Sequence, residues 1–355
     1  MRRLAPLFLL LLLVPVAVRC ESPVVSRTLA ITIDDLPYAG GGGPADAGNL
    51  GDARRITEAI LAALAWHKAS AVGFVNESRL QVAGERDARV ALLKQWADAG
   101  MILGNHTFSH PRLQDTPLER YQDDIVRGDV VSRLLMEERR GAPLFFRYPF
   151  NSTGPSKEVK EAVQSFLTAR GYRVAPFTVE HADYAFDKIW IAARQAGDKG
   201  QEKRIGEAYL EHLDTQLGFF EKLARETFSR EIPQILLIHA NGINAEHLET
   251  MLSRMEERGY RFVTLDQALK DPAYGTADEY VGAWGISWLH RWSVSLGLPM
   301  RLREEPDPPK WVMDLYEATI RASSTSSSRS MASSASRLSR SRKIVATAAM
   351  RLPSR

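Results

Sequence analysis

A chain of 355 residues, 45% of them apolar, has the length for one large α/β barrel or two average domains, and a core of that size excludes disorder of the whole. Its formal charge of +3 belongs to its ends: eight basic and no acidic residues follow Ile320, and Arg2, Arg3 and Arg19 precede Cys20, leaving 35 basic against 43 acidic residues between. So acidic a body excludes the electrostatic argument for a nucleic-acid partner.

Met1-Arg2-Arg3 followed by an apolar run from Leu4 to Val18 reads as a secretory signal over residues 1–22, since a run of about 15 residues is short for a spanning helix. An uncleaved anchor is the alternative, because the small-residue cleavage pattern is poor. Lipidation of Cys20 is a further one, which Arg19 disfavours. The expectation is an exported protein, periplasmic or secreted, that touches a membrane only through a possible N-terminal anchor. With Cys20 the single cysteine, no internal disulfide forms.

From Thr28 onward, short apolar runs alternate with helical periodicity. Strands are predicted at 29–33, 71–75, 101–103, 144–146, 172–179, 235–238 and 261–263, and helices at 53–67, 86–99, 118–138, 157–169, 203–227 and 245–257. Repeated strand-then-helix order implies a mostly parallel sheet, and seven repeats suit a closed or nearly closed barrel spanning 28–270, with reactive residues at the C-terminal strand ends. Residues 271–320 form an aromatic-rich extension packed on the barrel, in which Trp284, Trp288 and Trp292, four apart, either pack a helix onto the body or offer a sugar-stacking surface. Residues 321–355, rich in Ser and Arg, lack the apolar content for a core and are expected to be disordered.

Four strand ends carry chemistry. Asp34-Asp35 ends the first: adjacent residues of an extended chain point different ways, so one carboxylate can hold a metal while the other addresses the substrate. His106 and His110 follow the third strand, four apart, and with Asp35 they form a three-ligand set for a zinc-like divalent ion with an open position for water. Arg147, after the fourth strand, can pair with a carboxylate and hold it charged. His239 ends a buried strand. Singly, each has a plainer reading as a helix cap, loop polar residue, surface ion pair or satisfied core histidine; together, at four strand ends of one barrel, they are specific.

The sequence resembles the NodB-homology polysaccharide deacetylases, carbohydrate esterase family 4. Thr32-Ile33-Asp34-Asp35 is similar to that family's Thr-Phe-Asp-Asp-Gly motif, His106-Thr107-Phe108-Ser109-His110 matches His-Ser/Thr-x-x-His, and Arg147-Tyr148-Pro149-Phe150-Asn151 resembles Arg-Pro-Pro-Tyr-Gly. Glu180-His181-Ala182-Asp183-Tyr184 is similar to Asp-x-x-Asp-Trp, and Leu237-Ile238-His239 to the final Leu-x-His. Leu36 replaces the glycine after the Asp pair, so the loop running into Gly40–Gly43 is expected to be reshaped. Phe150 replaces tyrosine, and Glu180 and Tyr184 replace Asp and Trp, changes that bear on substrate preference.

The resemblance implies a distorted (β/α)7 barrel acting as a metal-dependent deacetylase of N-acetylated amino sugars in a peptidoglycan- or chitin-like polysaccharide. It implies Asp35, His106 and His110 as ligands of zinc, with cobalt or nickel as alternatives, and Asp34 as general base, paired with Arg147. The Phe150 N–H would serve the oxyanion, and His239 would be the general acid, oriented by Asp183 or Glu180. The rival readings are a same-barrel hydrolase of a non-sugar amide and a non-catalytic carbohydrate-binding protein.

Overall fold

The structure, a computed structural model, describes residues 27–40, 48–137, 139 and 141–322. The expected leader, the Ser/Arg tail from residue 323 on, and most of the Gly40–Gly43 loop lie outside the described residues.

Among the described residues up to Ser295 the strands and α-helices follow in chain order: β1 (Arg27–Leu36), α1 (Leu50–Trp66), β2 (Ala71–Val75), α2 (Arg86–Asp98), β3 (Ile102–Asn105), α3 (Leu118–Arg127), α4 (Val131–Glu137), β4 (Leu144–Phe146), α5 (Lys157–Ala169), β5 (Tyr172–Val174), α6 (Asp183–Gln195), α7 (Lys199–Phe228), β6 (Gln234–His239), α8 (Gly242–Glu257), β7 (Tyr260–Phe262), α9 (Leu265–Ala268) and α10 (Trp288–Ser295). The helix starts are marked chemically. Asn49, Ser156, Asp198 and Asn241 each accept a backbone N–H of the first turn, satisfying donors that the helix itself leaves unpaired.

All the strand pairs are parallel, in the order β5-β4-β3-β2-β1-β6. The first strand is buried without interruption from Leu29 to Leu36, as a strand covered on both faces must be. The ring closes through the run after β5: Thr178 N–H donates to Ile235 O at 2.9 Å, Leu237 N–H donates to Val179 O at 2.9 Å, and Val179 bridges Leu236. The run expected as one strand over 172–179 is therefore broken, leaving β4 before it joins β6, with Pro176, which has no N–H to donate, at the crossing. The last strand sits outside the ring: Leu29 is partnered by Gln234 and by Phe262, so β7 extends the lower end of β1 on the side opposite β6. The result is a distorted parallel barrel of the (β/α)7 type, with β1 to β6 in the ring and β7 appended at its lower edge.

Two helix expectations need correction. The predicted helix over 118–138 is two helices, because Gly128 lies against the His106–His110 turn so closely that a Cβ there would meet Thr107 C at 2.4 Å. The sequence reading also omitted α6, whose buried Ala185, Phe186, Ile189, Trp190 and Ala193 do follow helical spacing.

In the extension, Trp288 and Trp292 are buried on α10, the latter edge-on to Phe228 and Tyr274, while Trp284 lies outside the helix and is 68% exposed. The expectation of three indoles with one role fails, because the helix begins only at Trp288. The chain is helical again over residues 310–322, which takes Arg321 and Ala322 out of the tail expected to be disordered. No helix among the described residues is long and apolar enough to cross a membrane.

Candidate active site

The C-terminal strand ends open into a cleft of about 1100 Å³ bordered by Asp34, Asp35, His106, His110, Phe150 and His239. Its first feature is a break in β1. The β1–β2 register shifts between Ile33 and Leu36, and Asp35 takes a left-handed backbone, φ 71°. The strand alternation expected to separate the two carboxylates is thereby lost, and both reach one imidazole: His106 Nε2 lies 3.8 Å from Asp34 Oδ2 and 3.7 Å from Asp35 Oδ1. Asp35 also reaches His110, Oδ1 to Nε2 at 3.5 Å, which Asp34 does not.

One ligand atom each from Asp35, His106 and His110 lie within 4.8 Å of one another. Their protonation suits a cation. Burial holds His106 down at about 4 and His110 at about 3, so both imidazoles are neutral donors. Burial opposes charge on Asp35 as well, but the Arg79 guanidinium, 3.3 Å away, and the neighbouring histidines hold its carboxyl far below the usual range. His106 Nδ1–H donates to Arg147 O at 2.8 Å, which fixes the tautomer and leaves Nε2 free to ligate. Asp35 Oδ1 is buried without a hydrogen-bond donor, an orphan acceptor that a bound cation would satisfy. The three residues fit a divalent metal.

Arg147 is fully buried, with Nη1 3.8 Å from Asp34 Oδ2 and Nη2 donating to Thr32 Oγ1 at 2.8 Å. At that longer separation burial outweighs the guanidinium, and the Asp34 carboxyl stands above its ordinary value.

His239 is the register partner of Asp34 across β1 and β6, so the two sit side by side on adjacent strands. Its Nδ1 is 2.7 Å from Asp183 Oδ1, and its backbone N–H donates to Asp183 Oδ2 at 2.7 Å. Burial disfavours the imidazolium, yet Asp183 pushes it up to about 10, while His239 holds Asp183, against its own burial, at about 2. The choice left open between Asp183 and Glu180 thus resolves geometrically. Glu180 instead accepts the Ala182 N–H, at 3.0 Å, and burial pushes its carboxyl up to about 7. Phe150 has a left-handed backbone, φ 55°, and its ring rests edge-on against His110 with centroids 4.6 Å apart. Asp35, Thr107, His110, Phe150, Asn151 and Ala182 all have positive φ, a concentration of backbone strain in the motif segments that is typical of functional sites.

Sequence reasoning missed several supports. Arg79 also donates to Tyr38 O at 2.5 Å, and nothing in its local pattern announces it. Asn244 donates to Asp183 Oδ2 at 2.6 Å and to His239 O at 2.9 Å while accepting from the Tyr209 hydroxyl; Asn241, which also reaches Asp183, follows His239 closely enough to have been a signal. Asp124 accepts the Ser109 N–H and hydroxyl and holds the histidine turn from α3.

Residues 21–184 match the family model described as "Polysaccharide deacetylase". A peptidoglycan-N-acetylglucosamine deacetylase of Bacillus cereus is 26% identical over 93 residues, which are 26% of this chain and 30% of the relative's length. Among solved structures, a carbohydrate esterase family 4 pseudoenzyme from Bacillus anthracis is 17% identical with a TM-score of 0.45, covering 69% of this chain and 66% of its own. A family 4 carbohydrate esterase of Bacillus subtilis is 19% identical with a TM-score of 0.42, covering 69% and 82%. The matched segment 21–184 carries four of the five motifs and the whole ligand cluster, and it is this segment that is similar to the polysaccharide deacetylases.

Proposed function

We propose that this chain is an exported hydrolase that removes N-acetyl groups from amino sugars of a cell-wall or extracellular polysaccharide, peptidoglycan- or chitin-like, and releases acetate. One observation carries the reading: an Asp35–His106–His110 cluster of one carboxylate and two neutral imidazoles shares a cleft with a cationic His239 fixed by Asp183. A divalent ion held by that cluster, zinc by the character of its donors with cobalt or nickel as alternatives, supplies Lewis acidity toward the acetyl carbonyl and a lower pKa for water.

The remaining work falls to the chain. Asp34 accepts the proton of the attacking water; its raised carboxyl pKa makes it a stronger base than an exposed aspartate. Arg147 holds Asp34 in place and favours its charged form. The Phe150 N–H serves the developing oxyanion. His239, bound to Asp183 through Nδ1, presents Nε2–H to the departing nitrogen, which must leave as a neutral amine.

The test is acetate release from chitin oligomers and peptidoglycan, with and without a chelator. Chelator-sensitive release supports the reading. Binding without release points to a carbohydrate-binding protein, and hydrolysis confined to non-sugar amides points to a different substrate class; either result overturns it.

A further inference from the structure

The cleft is completed by chain lying beyond the family-matched segment: Trp284 to Ser287 form part of its wall. Of the four indoles in the extension, the two on α10 are core residues and Trp311 packs partly buried against the core, whereas Trp284 is left 68% exposed on the cleft. So open an indole contributes little to folding.

The segment that carries it is anchored on both sides of the candidate site. Gly285 lies against Phe150 so tightly that a Cβ would stand 1.9 Å from the Phe150 carbonyl oxygen. Arg291, fully buried, donates Nε to Ile286 O at 3.0 Å and Nη2 to Asn151 O at 2.7 Å, with Asp278 Oδ2 3.3 Å from Nη1. Ser287 Oγ donates to Thr178 O at 2.8 Å, and the Trp288 N–H donates to Phe177 O at 3.0 Å. The backbone beside Trp284 is therefore tied to the Phe150–Asn151 turn and to the strand end that closes the barrel. Phe150 and Tyr184, 41% and 53% exposed, are further open aromatic rings on the same cleft.

We propose that Trp284 is a specificity residue whose indole face receives the apolar face of a pyranose ring of the glycan, while an acetamide of that glycan reaches the Asp35–His106–His110 cluster. This rests on the deacetylase reading above. A pyranose carries C–H groups on its faces and hydroxyls around its edge, and a rigid amphipathic ring complements that surface while losing little side-chain freedom.

The experiment titrates chitin tetrasaccharide calorimetrically into the full chain, Trp284→Ala and Trp284→Phe, and measures kcat and KM for acetate release by each. The expected result is binding about 3- to 10-fold weaker in Trp284→Ala, the size of one lost ring contact, with the loss falling on KM rather than kcat and mostly recovered in Trp284→Phe. If the unaltered chain binds and deacetylates the oligomer and Trp284→Ala matches it in Kd and KM, the assignment of Trp284 falls and the deacetylase reading stands. A loss confined to kcat overturns the stacking role. If the unaltered chain neither binds nor deacetylates any glycan, the deacetylase reading falls and this assignment with it.

Discussion

Replacing Asp183 by asparagine removes the charge that holds His239 as an imidazolium while leaving the side chain's shape nearly unchanged. The two groups are joined Nδ1 to Oδ1 at 2.7 Å. Opposite charges centred about 4 Å apart attract by about 4 kcal/mol at an effective dielectric of about 20, which is about three powers of ten in acid strength. With the hydrogen bond to Asp183 and the charges of Asp35 and Asp34 added, His239 rises from its ordinary 6.5 to about 10 even though burial opposes it. Without Asp183, burial is opposed only by the charges of Asp35 and Asp34, and the imidazole falls toward its ordinary value. At that ordinary value only about 3% of it is protonated at about pH 8, so acetate release drops by up to about 30-fold. Near pH 6 about three-quarters of an imidazole of ordinary pKa carries its proton, and the gap closes to a few-fold apart from any lost positioning. The assay is kcat/KM of variant and parent across this range with bound metal measured in both. The ratio rises as the pH falls, since a raised histidine pKa extends the protonated form upward in pH and its loss is felt only above the lowered value. A ratio that stays flat with pH would refute the assignment of His239 as proton donor held charged by Asp183.

The two adjacent carboxylates separate by mutation: Asp34→Asn retains bound metal and loses about 10²–10⁴-fold in rate, whereas Asp35→Asn loses metal and regains part of its activity when metal is in excess, and equal metal loss in the two would show the roles are wrong. Chelation abolishes acetate release and lowers the melting temperature, both restored by added zinc, because a cation relieves the unpaired Asp35 acceptor; an unchanged melting temperature counts against a metal site. Gly285→Ala forces backbone apart at Phe150, with a loss of about 1–3 kcal/mol in denaturant unfolding and a lower kcat; unaltered stability would mean the extension does not press on that turn as described.

Much of the scaffold was legible because strands covered on both faces must be apolar throughout, so runs such as Leu29–Ile33 and Ile235–Ile238 stand out, and because reactive side chains in a barrel follow such runs directly. That local grammar located Asp34, Asp35, His106, His110, Arg147 and His239 as candidates, and the family resemblance supplied Phe150, Glu180 and Asp183. What it could not supply depends on long-range approach. Only the pairing of β1 with β6, some 200 residues apart in sequence, sets Asp34 beside His239. Asp183 rather than Glu180 meets His239 because a left-handed Ala182 starts α6 at the point where Asp183 faces the β6 end. The bulge in β1 turns both carboxylates toward His106, where simple alternation would have parted them. Arg79 joins the site through a turn with no motif of its own, and Trp284 parts from its buried neighbours because α10 begins four residues later, leaving one indole on the cleft and two in the core. Periodicity says which residues share a face of one element; which face meets the site is decided by how distant elements pack.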